Sequence, residues 1–488
     1  MKTKVNIFFL VLLFSITFSC DDFLDVDNKS SISEDENVTT ESWVNAVYAT
    51  FMEWDMTFSW IGVSSITSDN ADKGSDPGDT GTDKQLLDNF DYTSTSASIK
   101  ATWQVCYKVI GRANDALYYI DQDNTLSDNV KHRMIGEVKF LRGLIYFRLA
   151  KMFGGVPIID HVPDLGNPDD MNALTTRATL EEVYDQIESD LTDAIAYLPL
   201  RSEYSGTDVG RATKGAAQAI LAKAHLYQKE WQEAYDLTTE VINSGQYDLL
   251  NDFAEVWRAV GENSEESLFE IQARGESPAK GIQQYSQVQA PRGGSNGFGW
   301  GFNTPTQDLL NAFNAEGDSL RKNATIIFRG ETLFDGYYID GGVANPMYNE
   351  KAYSSLNHGA GQGDKNVRIM RYAEVLLINA EAANELNMPS QALTSLNKVR
   401  SRVFLPAVTV TDKTQLRELI WKERRLELAM EHDRFFDLIR QGRAGEVMRA
   451  HGKNFVDGKH ELFPIPQTAI DESFGNLTQN PGYIITGN

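Results

Sequence analysis

Aromatic and polar side chains stand close together in a stretch of the sequence rich in small residues. Trp60 precedes a polar run that ends in Asp69, Asn70 and Asp72. A flat aromatic ring can cover the apolar C–H face of a sugar, while carboxylate and amide groups bond its hydroxyls. These are the residue types that contact with a sugar requires, so we predict them as candidate ligand contacts. Asp69 and Asn70 have a second interpretation, since both residue types also close turns.

A second candidate contact is Trp300, which lies between Gly299 and Gly301. Glycines on both sides would let a ligand come close to the backbone. The alternative is that the indole fills a gap beneath its own loop. By the same reasoning we predict Tyr285 and Tyr348 as further ligand contacts.

Motifs that indicate catalysis or a cofactor are absent from the sequence. It has no H-E-x-x-H, P-loop, G-x-S-x-G or C-x-x-C motif, and its seven histidines are scattered. Asp69, Asp72 and Asp76 do not fit an EF-hand loop, because the glycine is misplaced and the closing glutamate is missing. We expect no enzymatic activity, no cofactor and no metal site. The 69 acidic residues nevertheless leave room for a carboxylate pair of the kind that hydrolyses glycosides.

A cluster of charged residues near the carboxyl end has two interpretations. It could bind an anionic ligand, or it could form ion pairs that hold the last helices together. We favour the structural interpretation, and extend it to Arg142 and Arg371, because charges of both signs alternate along the segment. The cluster comprises Glu423, Arg424, Arg425, Glu427, Glu431, Arg434, Asp437 and Arg440.

The amino terminus predicts export and lipidation. Two lysines, a short apolar run and small residues precede Cys20, and an acidic, polar segment follows it. This is typical of a signal peptide over 1–19 whose cleavage would leave an acylated Cys20 at the start of a linker over 20–40. The alternative is an ordinary secreted protein with a cysteine near the cleavage site by accident.

The net charge of −24 argues against nucleic acid and anionic lipid as partners. It suits an outward-facing domain or a neutral ligand.

Apolar residues three and four positions apart predict a helical protein. They mark a helical scaffold over about 99–250 and 366–445. Within it, Ala222 and Ala234 have the same spacing as Ala380 and Ala392. Small residues at such positions let antiparallel helices approach closely, so we predict two helical hairpins like those of tetratricopeptide repeats.

Two stretches without helical periodicity interrupt this scaffold, at about 54–95 and 253–365. They are rich in Gly, Asn, Ser and aromatic residues, and short strand-like pieces occur at 267–273 and 325–329. Because aromatic residues argue against disorder, we expect ordered, loop-rich excursions that carry the ligand site.

Several segments together resemble one known family in matching order. They are SCDDFLD (19–25), GEVKFLRGLIYF (136–147), FGGVP (153–157), RYAEVLL (371–377), AEA (380–382), LNKVR (396–400), ERRLELA (423–429), HDRFFDLIR (432–440), FPIP (463–466) and NPGY (480–483). The family they resemble is SusD/RagB, the surface lipoproteins of nutrient-uptake systems in Bacteroidota.

The resemblance implies a mainly α, SusD-like fold over 41–488, with tetratricopeptide-like hairpins packed against a loop-rich ligand-binding half and a few short strands. It also implies a non-enzymatic, lipid-anchored protein on the outer face of the outer membrane. Such a protein would bind an oligosaccharide and deliver it to a SusC-like TonB-dependent transporter. The run 68–72 resembles the family's ligand-side loop. The alternative function is a helical-repeat lipoprotein that binds peptide or protein.

Overall fold

The computed structural model describes residues 38–76, 79, 82–274, 281–354 and 362–484. Within them the chain is mainly α-helical. The helices are α1 (Thr40–Thr50), α2 (Thr82–Asn89), α3 (Ala97–Gln122), α4 (Asp128–Phe153), α5 (Pro168–Thr175), α6 (Leu180–Tyr197), α7 (Lys214–Gln228), α8 (Trp231–Asn243), α9 (Tyr285–Gln289), α10 (Gln307–Glu316), α11 (Ser319–Thr325), α12 (Tyr372–Glu385), α13 (Pro389–Arg402), α14 (Lys413–Glu427), α15 (Arg434–Arg440), α16 (Ala444–Ala450) and α17 (Gln467–Glu472). Cys20 lies outside the described residues.

The long helices follow the apolar stripes of the sequence. Trp103 and Cys106 are buried on α3, and burial raises the pKa of the Cys106 thiol to about 12. A capping box begins α6, since Thr179 Oγ1 accepts from the Glu182 amide at 3.2 Å and the Glu182 carboxylate accepts from the Thr179 amide at 2.7 Å. α4 ends at Gly154, whose φ of +73° favours glycine.

The two predicted hairpins are confirmed as α7–α8 and α12–α13. Ala222 and Ala234 of the first hairpin lie in a buried cluster that joins it to α12, whereas Ala380 and Ala392 of the second hairpin lie in the main core. Alanine there lets the helix backbones approach closely, which a larger side chain would prevent. The buried members are Ala222, Leu226, Ala234, Ile378 and Ala382.

The strands are short and form four separate antiparallel pairs. β1 (Ala71–Gly74) pairs with β4 (Phe302–Pro305), and β2 (Ser267–Ile271) with β8 (Val367–Arg371). β3 (Ile282–Gln283) pairs with β7 (Gln362–Gly363), and β5 (Ile326–Phe328) with β6 (Met347–Asn349). The strands expected near 267–273 and 325–329 are therefore present.

The beginning of the first loop-rich excursion differs from the sequence expectation. Residues 54–66 are helical and contain two wide, π-helical turns, Asp55–Ser59 and Gly62–Ile66. The small hydroxyl residues that suggested a loop bond the helix backbone instead, since Ser64 Oγ donates to the Trp60 carbonyl at 2.6 Å. Such side-chain hydrogen bonds satisfy backbone carbonyls that have no amide donor in an irregular helical turn.

No helix within the described ranges is long and apolar enough to span a membrane.

A network of buried ion pairs joins the carboxyl-terminal helices to the rest of the fold. Glu427, fully buried at the end of α14, accepts from Arg371 at 2.7 Å and Arg321 at 3.0 Å, and also pairs with Arg402. Burial alone would raise the pKa of Glu427, but its arginine partners hold it well below its ordinary value. The structural interpretation of the charged cluster is thus confirmed for this residue.

Replacing Glu427 with Gln tests how much this network contributes. The variant leaves the buried arginine side chains without their counter-charge. We therefore expect the free energy of unfolding, measured by guanidinium chloride denaturation, to fall by about 3–5 kcal/mol. Because the pKa of Glu427 is lower in the folded than in the unfolded state, the loss is complete above about pH 4.3, the ordinary glutamate value. It then shrinks as the pH falls toward the folded pKa.

The matched control is Glu418→Gln on the same helix. Glu418 is about half exposed and faces Arg443 at 3.5 Å, so its loss should change stability by less than about 0.5 kcal/mol. Equal effects of the two substitutions would contradict a structural role for the buried network.

Candidate functional site

An open cleft of about 620 Å³ lies between the helical stretch 54–66, the start of α3 and the turn that precedes β4. We call it the aromatic cleft. Its lining residues are Trp54, Asp55, Phe58, Ser59, Asp79, Asp83, Lys84, Ala97, Ser98, Ala101, Arg292, Gly299, Trp300 and Phe302.

Four aromatic rings form the apolar part of the cleft. The ring centroids of Trp54 and Trp300 are 5.7 Å apart at an interplanar angle of 57°, and those of Phe58 and Trp300 are 6.0 Å apart at 87°. Phe302 meets Phe58 edge to face at 5.1 Å. Because Trp54 and Trp300 are only partly buried, they offer apolar surface to a flat ligand.

Local structure explains why Trp54 and Phe58 share a face. In a π-helical turn the backbone bonds run from residue i to i+5, so residues four and five positions apart lie on the same side. Asp55 and Ser59 accordingly line the cleft beside them. Ser59 Oγ donates to Asp55 Oδ1 at 2.8 Å, which fixes that carboxylate at the rim.

The turn that carries Trp300 requires its glycines. A Cβ at Gly299 would lie 2.4 Å from the Cβ of Ala290, and Gly301 has a φ of +71°. The turn folds back on α9, since the Trp300 amide donates to the Gln287 carbonyl at 2.9 Å. Glycine therefore sets the position of the indole at the cleft.

The charged side chains of the cleft are held by neighbours. Arg292 donates to Ser75 Oγ at 2.6 Å and pairs with Asp79. Lys84 bonds Ser98 and lies 4.2 Å from the Phe58 ring centroid. Burial lowers the pKa of Lys84 to about 8, against the opposing effect of Asp83.

Acidic groups outnumber basic ones at the cleft. Asp55, Asp79 and Asp83 face the two cations Lys84 and Arg292. Burial would raise the pKa of Asp83, but hydrogen bonds from Ser96 and Ser98 hold it below its ordinary value. The arrangement can stack flat apolar surfaces and accept hydrogen bonds from hydroxyl groups.

Comparison with known proteins places this fold and cleft in context. Residues 320–483 match the family model described as "SusD family", and residues 22–226 match "Starch-binding associating with outer membrane". The chain belongs to the SusD/RagB family. Among curated proteins, it is 29% identical to "SusD-like protein P2" of Formosa agariphila, with 98% of this chain and 100% of that protein covered.

Solved structures of similar proteins share the SusD-like fold. One, described as "Laminarin binding SusD-like protein", superposes with a TM-score of 0.77 at 27% identity, covering 91% of this chain and 99% of the other. Another is "Surface glycan-binding protein A from Bacteroides thetaiotaomicron in complex with laminarihexaose", with a TM-score of 0.76 at 25% identity, covering 90% and 98%.

In this SusD-family chain, Trp300 is the one of the seven predicted ligand residues that lines the aromatic cleft. Trp60 and Tyr285 line a separate, largely buried cavity instead. Trp60 stacks on Phe436 at 5.9 Å and 18°, and the Arg148 guanidinium lies 4.4 Å from its ring. The wide helical turns direct Trp60 away from the face that carries Trp54.

The predicted polar run also lies away from the cleft. Asp69 accepts from Arg434 at 2.8 and 2.9 Å and pairs with Arg425 at 3.0 Å, while Asn70 Oδ1 accepts from Arg425 at 2.9 Å. Burial would raise the pKa of Asp69, but these arginines hold it well below its ordinary value. This placement differs from the sequence expectation, because Arg434 and Arg425 already bond the Asp69 carboxylate and the Asn70 side-chain oxygen.

The two remaining predicted residues are placed elsewhere. Asp72 is about half exposed and lies 3.5 Å from His451 Nε2. Tyr348 is fully buried, and its hydroxyl accepts from the Asn345 amide at 2.8 Å. Neither side chain lines the cleft.

Sequence reasoning did not select Trp54, Phe58, Phe302 or Arg292 as site residues. The spacing of Trp54 and Phe58 by four was the available signal, because such a pair shares a helical face. It was hidden by the expectation that this stretch is a loop.

One cluster in the described ranges has the ligand types of a metal site. Atoms of Glu188, His225 and Glu230 lie within 4.8 Å of one another. His225 Nδ1 is already hydrogen-bonded to Glu230 Oε2 at 2.6 Å. The cluster lies on the helical scaffold, and none of its members lines the cleft.

Substitution of the two predicted tryptophans should separate their roles. Trp60→Ala removes a buried ring and should lower the free energy of unfolding by about 3–5 kcal/mol. Trp300→Ala removes a partly exposed ring and should cost about 1 kcal/mol. Guanidinium unfolding followed by circular dichroism measures both, and equal losses would show that the two rings are packed alike.

Proposed function

We propose that the protein binds a neutral oligosaccharide in the aromatic cleft at the cell surface and delivers it to a SusC-like TonB-dependent transporter. The observation that carries the proposal is the pair of partly exposed indoles, Trp54 and Trp300, whose centroids are 5.7 Å apart. Their tilted planes suit a chain of sugar rings that curves, because successive rings then meet differently oriented aromatic faces.

The polar groups of the cleft suit hydroxyl recognition. A pyranose presents hydroxyls around its edge, and ionised carboxylates accept hydrogen bonds from them strongly. Asp55 and Asp83 lie on the same cleft as the indoles. A carboxylate has about four acceptor sites, so Asp55, which accepts from Ser59 at one oxygen, can also accept from a ligand hydroxyl. Asp83 already accepts from Ser96 and Ser98 and adds negative charge to the same wall.

Charge favours a neutral glycan over a sulfated or uronic one. Both cations of the cleft, Lys84 and Arg292, are already bonded to protein groups, and three carboxylates face them. An anionic sugar would meet excess negative charge, which disfavours its binding. The descriptions of the two structural relatives name laminarin and laminarihexaose, so laminarin is the first ligand to test.

We propose binding without catalysis. Each carboxylate at the cleft is engaged by protein groups: Asp55 by Ser59, Asp79 by Arg292, and Asp83 by Ser96. Proton transfer to a glycosidic oxygen needs a carboxylic acid with a raised pKa, and the pKa of Asp83 is lowered instead.

The transporter partner is proposed from the family resemblance.

Loss of either indole should weaken glycan binding. We expect Trp54→Ala and Trp300→Ala each to raise the dissociation constant for laminarin by about tenfold or more, because each removes a stacking surface at the centre of the site. Isothermal titration calorimetry against a panel of neutral glycans, anionic glycans and peptides measures this.

Trp43→Ala provides the matched control. Trp43 is partly buried and stacks on Tyr119 at 4.2 Å, and it does not line the cleft. Its loss should leave affinity unchanged. Wild-type affinity in both cleft variants would refute the site, and preference for peptides would replace glycan with peptide as the ligand class.

The anchor is proposed to be acylated Cys20, and one of the matching family models is described as associating with the outer membrane. We expect Cys20→Ala to bind glycan normally but to be lost from the cell surface, because the acyl chains provide the membrane affinity. Antibody labelling of intact cells and membrane fractionation measure this. A variant that is still retained at the surface would refute the acyl anchor.

A further inference from the structure

A largely buried cavity of about 70 Å³ lies behind the helical stretch that forms one wall of the aromatic cleft. Met56, Thr57, Trp60 and Ile61 face this cavity. The rest of its wall comes from α4, α7, α9, α12, the strands β2 and β8, Phe51 and the segment 428–433. We call it the Arg148 cavity. We propose that it binds a small monovalent inorganic anion, such as chloride, against the Arg148 guanidinium.

Arg148 has no carboxylate partner among the described residues. Its side chain is buried, with 6% of the residue exposed, and Nη1 donates to Met56 Sδ at 3.3 Å. The rings of Trp60 and Phe51 lie 4.4 and 5.8 Å from the guanidinium, and Asp433 favours its charge from a distance without forming an ion pair with it. A buried guanidinium without a directly paired counter-charge is costly, because thioether and ring contacts replace little of its hydration.

The carboxylates on the cavity wall are already committed to other cations. Each of the three accepts from two basic groups at 2.5–2.8 Å, so none is left over for Arg148. Glu374 pairs with Lys223 and Arg424, Asp433 with Lys151 and Lys223, and Glu431 with Arg371 and Lys351. The remaining charged group of the wall, Arg368, faces Glu262 and Glu270 at 3.4 and 3.5 Å.

A second orphaned polar group lies on the same wall. His432 Nδ1 is buried without a hydrogen-bond partner, and Nε2 lies 3.4 Å from the Tyr285 hydroxyl. Burial lowers the pKa of His432 to about 4, so the ring is neutral at pH 7. If Tyr285 donates to Nε2, the imidazole proton is on Nδ1, which is then a free donor. A guanidinium and an N–H donor together suit an anion.

Size and charge restrict the occupant. A water molecule needs about 10–15 Å³ of cavity volume on this scale, and a cavity that holds benzene measures about 150 Å³. The Arg148 cavity therefore has room for a monatomic anion with a few water molecules but not for a sugar ring. One uncompensated guanidinium matches a single negative charge. These limits favour chloride or bromide over phosphate or a glycan fragment.

Thermal unfolding at constant ionic strength tests the proposal. Ligands that bind only the folded state raise the unfolding midpoint. Replacing sodium gluconate, whose anion is too large for the cavity, with sodium chloride or bromide should raise the midpoint. For a protein of this size the rise is about 1–2 °C for each tenfold increase in halide above its dissociation constant. Arg148→Met should abolish this dependence, whereas Arg329→Met at an exposed position should retain it.

Bromide provides a measurement on the unsubstituted protein. Crystals soaked in sodium bromide should show an anomalous peak within hydrogen-bonding distance of the Arg148 guanidinium. This measurement tests for the anion site even if Arg148→Met fails to fold. Equal midpoints in gluconate and halide, or a cavity that holds only water in bromide-soaked crystals, would overturn the proposal.

Discussion

The carboxylate of Glu427 is the point on which much of the architecture depends. It is fully buried and pairs with arginines from three separate elements: Arg321 on α11, Arg371 at the end of β8, and Arg402 at the end of α13. In a low-dielectric interior such a charge is tolerated only when its partners hold defined positions. The helical hairpins and the excursion that carries the cleft are therefore fixed relative to each other by electrostatics as well as by packing.

The same principle positions the aromatic cleft. Asp69 binds Arg434 and Arg425, which ties the end of the helical stretch 54–66 to the carboxyl-terminal helices. β1 then continues from this anchored segment and pairs with β4, with Gly74 opposite Phe302. This pairing brings the turn with Trp300 beside the helix with Trp54, although about 250 residues of sequence separate them. The cleft is thus a product of long-range pairing.

The sequence predicted what depends on local periodicity. The apolar spacing of the long helices and the alanine spacing of both hairpins each identify an element directly. The structural interpretation of the charged cluster also follows from composition, because unpaired charges of this density could not be buried. The residues of the aromatic cleft were harder to predict from the sequence. Whether Trp60 or Trp54 faces the cleft depends on two wide helical turns. Hydroxyl residues that bond the helix backbone leave no periodic pattern in the sequence from which these turns could be predicted.

The stretch 54–66 has opposite faces with different surroundings, since Trp54 and Phe58 face the cleft while Trp60 and Ile61 face the Arg148 cavity. In evolution, substitutions in this stretch should therefore have different consequences from insertions and deletions. Trp54 and Phe58 are only partly buried against the core, so exchanging them costs less packing than exchanging a fully buried residue such as Ile61, and ligand preference can diverge among relatives. Removing a single residue would instead change the direction in which the later side chains of the stretch point, and core residues would leave the interior face. Selection should therefore preserve the length of this segment more strictly than its composition.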